Sequence, residues 1–260
     1  MALPDRLVSD ELLRKAVIAG FVVVLGACII SQVMMQLGGG PRDEPMDLSG
    51  QLPEGSNDSV GSVATFPDGM PPFISCGGVF YPEKAVFDIG LAIGGLLFCF
   101  LGVEMFLRTG SSLRESGGSN WRRGANVGQL ASALVIGVSM MMITRHPFDV
   151  SLMMHLFYAM NIFYGSFIWG TFLTLSRSKI DGELTCRGKW KLSTIRWTMV
   201  AAGFISFQMM TAMVASGNIT LAAVFEWILT FAAEGQALTI LPILALSDSK
   251  RVTETEPSDE

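Results

Sequence analysis

Ionisable side chains inside apolar stretches are the groups of this sequence that could do chemistry. Asp88, His155 and Glu226 each lie a few residues inside a run long enough to cross a bilayer. Because a charge inside a membrane is costly unless it is paired or hydrated, such residues mark functional sites by default. Carboxyl and imidazole groups exchange protons and bind polar head groups. With Asn161, which lies deeper on the same run as His155, they form a candidate polar site.

The depth of these residues places the candidate site near one membrane face. At about 1.5 Å per residue, Asp88, His155 and Glu226 lie at a similar shallow depth. Two interpretations remain open. The three side chains can line a polar pocket that holds a lipid head group, an acid/base pair or a proton. Alternatively, they hydrogen-bond to one another and to a neighbouring loop, and so fix the bundle. Spacing along each run does not decide which of them face one another.

Other polar residues near these runs have simpler explanations. Glu104 precedes Arg108 by four residues, and an ion pair on one helix face accounts for both. Glu234 lies near mid-membrane and has no evident partner in the sequence. No Gly-x-Ser-x-Gly motif is present. The serines nearest the candidate site, Ser75 and Ser151, are expected to cap a turn and a helix rather than to attack a substrate.

The elements that must position these residues are six apolar runs, each near the roughly 20 residues that cross a bilayer. Hydrophobic residues make up 50% of the 260 positions, and the mean hydropathy is +0.46. The sequence therefore predicts an all-α polytopic membrane bundle of six transmembrane helices. The predicted spans are Ala16–Leu37, Ala85–Leu107, Ala125–Ile143, Ser151–Leu175, Trp197–Val214 and Leu221–Leu246.

The distribution of basic residues predicts the orientation of the bundle. Of the 18 Lys and Arg residues, only Arg42, Lys84 and Arg145 lie on one of the two sides. Because positive charge is retained in the cytoplasm during insertion, both termini are predicted to be cytoplasmic. The first run is longer than a signal-peptide core and no Ala-x-Ala site follows it, so it is expected to be a retained span. The predicted parts are a cytoplasmic segment 1–15, a six-span domain 16–246 with a lumenal or extracellular loop 38–84, and an acidic cytoplasmic tail 247–260.

Composition argues against several classes of ligand. The four cysteines form no Cys-x-x-Cys or His/Cys cluster, so no metal and no cofactor are expected. The net charge of −5 comes from the acidic loop and tail and indicates no nucleic-acid partner. Asn57 begins an Asn-Asp-Ser triplet on the predicted non-cytoplasmic side and is a candidate glycosylation site.

Small and aromatic residues predict how the spans pack. Gly90 and Gly94 are one turn apart on the second span, and this face is expected to meet a neighbouring helix closely. Trp169 lies towards the predicted cytoplasmic end of the fourth span and is expected to anchor it in the head-group layer.

Three motifs in register resemble the damage-regulated autophagy modulator (DRAM) family. The segment Pro72–Gly77, followed by Tyr81–Phe87, is similar to that family's "PYIS…G…PPE…F" signature after the first span. The fourth span, from His155 to Gly165, resembles the family's "H…A…F…G..Y" pattern, and Ala223–Trp227 resembles its "CEW" motif with Phe225 in place of Cys. The wider group includes the GPI-anchor lipid-remodelling and phosphoinositide-kinase-associated membrane proteins. The family-matching positions are Pro72, Ile74, Ser75, Gly77, Glu83, Phe87, His155, Gly165, Glu226 and Trp227.

The resemblance implies a regulatory or lipid-associated membrane protein rather than an enzyme. Expected partners are membrane lipids, together with membrane or cytoplasmic regulatory proteins. The expected location is an endomembrane, lysosome or Golgi, or the plasma membrane, and the expected process is autophagy. One alternative is a membrane-embedded lipid-modifying enzyme that uses His155 with Asp88 or Glu226. A second alternative is a small-solute or proton-coupled carrier that uses Glu234 and Glu226.

Overall fold

The structure, a computed structural model, describes residues 4–38, 51, 73–182, 184–186 and 189–245. Asn57, Pro72, Leu246 and the tail 247–260 lie outside the described residues, as does most of the loop 38–84. The predictions made for these positions therefore stay predictions.

Six helices account for most of the described chain, and each is long and apolar enough to cross a membrane. Each predicted span coincides over most of its length with one of them, so the six-helix architecture is confirmed. Most helices are longer than the apolar run predicted for them, because amphipathic and polar residues at their ends continue the helix. They are α1 (Asp10–Gly38), α2 (Glu83–Glu115), α3 (Asn120–Ile143), α4 (Leu152–Arg177), α5 (Leu192–Ala215) and α6 (Ile219–Leu238). The helical path of α6 continues through a turn to Ala245.

Two short elements lie in the connections. A 3-10 helix (Ile74–Gly78) precedes α2, and two strands, β1 (Thr185–Cys186) and β2 (Trp190–Lys191), form an antiparallel ladder before α5. The 3-10 helix lies at one end of the bundle with the connections α3–α4 and α5–α6, and we call this the loop end. The opposite end carries the start of α1 and the strand pair, and we call it the terminal end.

Each helix packs mainly on its neighbours in sequence, and contacts between α1 and α6 close the bundle. The predicted close approach at Gly90 and Gly94 is confirmed. A β-carbon at Gly90 would overlap Ala27 of α1, and one at Gly94 would overlap Val24. Helix α5 buries few residues, and its apolar side chains are exposed on the outside of the bundle, as expected for a surface that faces lipid.

The prediction that Trp169 anchors its span at the head-group layer is wrong. Trp169 is fully buried in the main core and packs edge-on against Phe98, with ring centroids 5.0 Å apart. The reason is geometric: Trp169 is two turns from the end of α4 at Arg177, on the face that points into the bundle rather than towards lipid.

Candidate functional site

A cavity of about 90 Å³ lies inside the loop half of the bundle. Five helices and the 3-10 helix contribute to its wall, whereas α5 contributes no lining residue. Most of the wall is apolar, with Phe87, Leu91 and Ile136 as examples. The polar groups are few, and they come from six residues: Ser75, His155, Ser166, Glu226, Thr230 and Glu234.

Glu226 is a buried polar group of this cavity with a defined hydrogen bond. Its Oε2 accepts a hydrogen bond of 2.6 Å from the backbone N–H of Ile74, the first residue of the 3-10 helix. The side chain is only 8% exposed. The N–H groups at the start of any helix lack partners within it, and here a carboxyl from α6 supplies the acceptor. The contact ties the last span to the segment that precedes the second.

Gln32 holds the same segment from the other side. Its Nε2 donates to the backbone oxygens of Phe73 (2.9 Å) and Ile74 (2.7 Å). A β-carbon at Gly77 would overlap the Ser31 hydroxyl, so only glycine lets the 3-10 helix lie this close to α1. The described part of the segment after Pro72 therefore packs directly on α1.

His155 lines the cavity from the first turn of α4. Its Nδ1 lies 2.9 Å from the backbone oxygen of His146, and its ring meets that of Phe148 edge-on at 5.8 Å. Because a carbonyl oxygen only accepts, Nδ1 carries the proton in this contact. In the neutral ring, Nε2 is then the acceptor.

The other two members of the predicted polar site lie elsewhere. Asp88 pairs with Lys84 across 3.1 Å on its own helix, and neither residue is part of the cavity lining. Asn161 is partly buried on α4 and is not among the lining residues either. The structure thus brings His155 and Glu226 to one cavity, with Ser75 beside them, and leaves Asp88 and Asn161 outside it.

The two candidate serines differ in their surroundings. Ser75 lines the cavity, and no described residue hydrogen-bonds to its hydroxyl. The prediction that the Ser151 side chain caps α4 is wrong. The backbone N–H of Leu152, the first residue of α4, donates to Oε1 of Gln51 at 2.7 Å, so the long loop supplies an acceptor at the start of this helix.

Glu234 lies two turns from Glu226 along α6 and lines two cavities. The second cavity, of about 20 Å³, continues towards the terminal end between α1 and α2. The two cavities share Val24, Phe98, Met140 and Glu234. Among the residues that the structure describes, none hydrogen-bonds or ion-pairs with the Glu234 carboxyl.

The remaining family-matching positions support the cavity or the core around it. Phe87 lines the cavity wall, and Glu83 is buried at the start of α2. Gly165 allows α4 to pack on Ile136 of α3, where a β-carbon would lie 2.7 Å from Cγ1. Trp227, next to Glu226, packs partly buried against the core.

Sequence reasoning missed a buried charge network at the terminal end. Arg177 donates to both carboxylate oxygens of Asp181 at 2.8 Å. Arg196 donates to the same carboxylate at 2.8 Å and to the hydroxyl of Thr239 at 3.0 Å. Burial alone raises the pKa of Asp181, but the two guanidinium groups outweigh it and hold the pKa below its ordinary value. The network links α4, α5 and the end of α6.

The same end of the bundle holds a second ion-pair network. Glu104 is fully buried and accepts from Arg108 at 2.8 Å, which confirms the predicted i, i+4 pair. Glu104 also accepts from the backbone N–H of Leu7 at 2.9 Å, and Arg108 pairs with Asp10. These contacts fix the segment before α1 to the inside of α2.

Two further ionisable groups outside the spans, Cys76 and Asp149, are buried and partly buried, respectively. Burial raises the pKa of the Cys76 thiol and, in the α3–α4 connection, that of Asp149. Within the described residues, no group of His, Cys, Asp and Glu side chains has the arrangement of a metal site. All four cysteines are free thiols.

Comparison with known proteins identifies the chain at the level of its family. The profile of the Frag1/DRAM/Sfk1/Cwh43P N-terminal domain matches residues 54–240, which include the 3-10 helix, the cavity residues of α2, α3, α4 and α6, and the Glu226-Trp227 pair. No curated protein and no solved structure gives a significant match. The profile covers more than half of the sequence, and its limits enclose five of the six membrane helices. The chain is therefore a membrane protein that belongs to the Frag1/DRAM/Sfk1 family.

Proposed function

We propose that this protein is a regulatory, non-catalytic membrane protein that binds a lipid-derived amphiphile in its internal cavity. The observation that carries the proposal is the cavity itself, which has an apolar wall and a small polar end formed by Ser75, His155 and Glu226. Binding sites for small molecules are mostly apolar with a few placed polar groups. A cavity of this kind within a membrane bundle suits a molecule with an alkyl part and a polar head.

The contacts of the polar end support a binding role over a catalytic one. A hydrolase needs a nucleophile within hydrogen-bond reach of its base, about 2.6–3.2 Å. No described hydrogen bond joins His155 to the hydroxyl of Ser75 or Ser151, and the ring is held by the His146 backbone oxygen. Asp88 is engaged with Lys84 and does not reach into the cavity.

The position of Glu226 supports regulation. One carboxyl lines the cavity and also holds the 3-10 helix, so a ligand that displaces it would move the segment after the long loop. A ligand shifts a conformational equilibrium only if it binds one of the two states more tightly than the other. Here the two states would be the one in which Glu226 holds the 3-10 helix and the one in which Glu226 binds the ligand instead. From the family resemblance we propose that ligand binding modulates autophagy. The protein would act at an endomembrane, of the lysosome or Golgi, or at the plasma membrane. Regulatory proteins of the membrane or cytoplasm would be its partners.

Lipid extraction from the purified full chain tests the proposal. Ala159 lines the cavity, so Ala159→Phe should fill it, and the matched control Ala131→Phe puts the same side chain on the exposed face of α3. Native mass spectrometry should find a bound amphiphile on the wild type and on the control, and severalfold less on Ala159→Phe. Equal recovery from all three proteins would contradict binding in the cavity.

Activity measurements separate the proposal from the enzyme alternative. We expect Ser75→Ala and Ser151→Ala to leave cellular function largely intact, because neither hydroxyl is paired with a base. His155→Ala should disturb folding or trafficking together with function. If the purified protein hydrolyses or transacylates a lipid, and a folded serine or His155 variant loses that activity, the enzyme alternative replaces our proposal.

A small-solute or proton-coupled carrier is the second candidate function. The observation in its favour is that Glu234 lines both cavities, which together extend from the loop end towards the terminal end. Carriers place ionisable groups along such paths. Proteoliposomes with a pH-sensitive dye inside should show wild-type proton flux that Glu234→Gln abolishes. The absence of flux in both proteins would remove this candidate.

A further inference from the structure

We propose that the head group bound at the polar end of the cavity is a protonated primary amine. This inference rests on the proposed function and specifies the ligand class of the same cavity. The acceptor groups are Glu226, His155 and Ser75, which we call the amine site. The alkyl part of the ligand lies against the apolar wall.

Glu226 supplies a carboxyl acceptor with one oxygen to spare. Its Oε2 accepts from the Ile74 backbone N–H, and no described residue donates to Oε1. The side chain is more than nine-tenths buried and lines the cavity, so Oε1 is available only to a group inside it. A buried carboxyl is stabilised when a cation pairs with it. An ammonium group would provide that partner.

His155 and Ser75 complete the coordination of such a group. Because Nδ1 of His155 donates to the His146 carbonyl oxygen, Nε2 of the neutral ring accepts. The Ser75 hydroxyl follows Ile74 directly and also lines the cavity. An ammonium group has three N–H donors and no acceptor, and the amine site presents three acceptors.

The charges around the cavity discriminate against anionic head groups. The lining contains two carboxyls and no lysine or arginine. Lys84 lies at the same end of the bundle, but it is held by Asp88 at 3.1 Å and by the Gly78 backbone oxygen at 3.1 Å. A phosphate or carboxylate head would therefore enter a low-dielectric site that offers it no cation. It would also lie next to carboxyl groups, which carry charge of the same sign when ionised, and both effects are unfavourable.

The apolar wall sets the size of the rest of the ligand. The two neighbouring cavities have volumes of about 90 and 20 Å³ and share the lining residues Val24, Phe98 and Met140. They suit one short alkyl segment and exclude the paired chains of a diacyl lipid. The ligand class is accordingly a single-chain alkyl amine.

A series of probes with the same chain and different heads tests the proposal. The purified full chain in uncharged detergent is titrated with n-hexylamine, hexanoic acid or 1-hexanol, and its thermal unfolding is followed. A ligand that binds the native state raises the unfolding temperature, and at a given concentration a tighter ligand raises it more. Hexylamine should stabilise the wild type, and the acid and the alcohol should have little effect.

Variants assign the effect to the amine site. Glu226→Gln should weaken the hexylamine response at least about tenfold, because a hydrogen bond to a charged group is lost. The matched control Asp88→Asn removes a carboxyl at the same end but outside the cavity, and should respond like the wild type. If Glu226→Gln does not fold, His155→Phe keeps the ring contact with Phe148 and removes the acceptor, with the same expected loss.

The outcomes separate this inference from the proposed function. Equal stabilisation by all three probes, no response to hexylamine, or loss of response in Glu234→Gln but not in Glu226→Gln would overturn the amine site. Each of these results leaves the lipid-extraction experiment free to support or contradict binding in the cavity. An anionic amphiphile recovered from the wild type but not from Ala159→Phe would support the proposed function and overturn the amine assignment.

Discussion

The carboxyl of Glu226 accepts a hydrogen bond of 2.6 Å from the backbone N–H of Ile74, a residue 152 positions earlier in the chain. An unpaired N–H buried in a membrane protein costs several kcal/mol because no water can replace the lost partner (about 1–3 kcal/mol in soluble proteins). One side chain of α6 thus determines where the segment before α2 lies. The cavity between them depends on the same contact.

Substitution of Glu226 should separate hydrogen bonding from charge. Glu226→Gln keeps an oxygen for the Ile74 N–H, whereas Glu226→Leu leaves that donor unpaired. We expect Glu226→Leu to lower the free energy of unfolding by about 1–3 kcal/mol, and Glu226→Gln to cost clearly less. Thermal unfolding in detergent measures both. Glu11→Leu and Glu11→Gln, on an exposed residue, provide the control pair. Equal stability of the wild type and both Glu226 variants would show that the contact does not support the fold.

The residues that sequence reasoning placed correctly are those whose partners lie on the same helix or follow from a periodic pattern. Glu104 and Arg108 are four apart, so helix geometry alone brings them together. Gly90 and Gly94 share one face, so close packing follows from their spacing. The six spans themselves follow from apolar length, because a bilayer sets the number of residues that each needs.

The candidate site was predicted only in part, because depth along a helix does not give rotation about its axis. Asp88, His155 and Glu226 share a depth, yet only His155 and Glu226 line the cavity. Asp88 points to Lys84 one turn away, a pairing that the i, i+4 rule could have indicated. Asp181 belongs to a network that spacing along one helix does not predict. Its partners, Arg177 and Arg196, lie on two different helices. In the sequence, both look like basic residues that only set the orientation of the spans in the membrane.

The contact between Glu104 and the N-terminal segment gives a second prediction. Glu104→Ala removes the acceptor of the Leu7 N–H and a partner of Arg108. We expect the segment 5–10 to open locally, which would raise its amide hydrogen exchange while the six helices stay protected. Lys15→Ala breaks the exposed pair with Glu11 and should change nothing there. Unaltered exchange of Leu7 and Val8 in Glu104→Ala would contradict this account.

Asp181 should make stability depend on pH in the acid range. Its pKa in the folded protein lies below the ordinary value of 3.8, because Arg177 and Arg196 outweigh the effect of burial. The stabilisation is therefore complete above that ordinary pKa, and it is lost as the pH falls through 3.8 towards the lower folded value. The unfolding temperature should drop over this range in the wild type.

Asp181→Asn tests the same network at constant pH. It leaves two buried guanidinium groups without their counter-charge, and the expected cost near pH 7 is about 3–5 kcal/mol. Below the ordinary pKa of the carboxyl, the difference in unfolding temperature between wild type and variant should shrink. A difference that stays constant from pH 7 to pH 3 would show that the carboxylate charge is not what stabilises this end.

The orientation of the bundle is a further prediction, because it rests on the basic residues alone. Lys179 and Ser216 are exposed. Lys179 follows the end of α4 at the terminal end of the bundle, and Ser216 follows the end of α5 at the loop end. In a background without the four native cysteines, Lys179→Cys should react with an impermeant thiol reagent from the cytoplasmic side. Ser216→Cys should react only from the other side. The reverse pattern would invert the predicted orientation, and reaction of both from one side would be incompatible with six spans.

The close packing of α2 on α3 gives the last prediction. A β-carbon at Gly95 would overlap the backbone oxygen of Gly137 and lie 3.0 Å from Met141 Cγ. Backbone cannot move aside without separating the helices, and overpacking of this kind costs about 1–3 kcal/mol. Gly26 on α1 has open space at the same position, so Gly26→Ala should be neutral or stabilising by up to about 1 kcal/mol through helix propensity. In the same detergent, Gly95→Ala should therefore lower the unfolding temperature, and Gly26→Ala should leave it unchanged or raise it. A stabilised Gly95→Ala variant would show that α2 and α3 are farther apart than this structure has them.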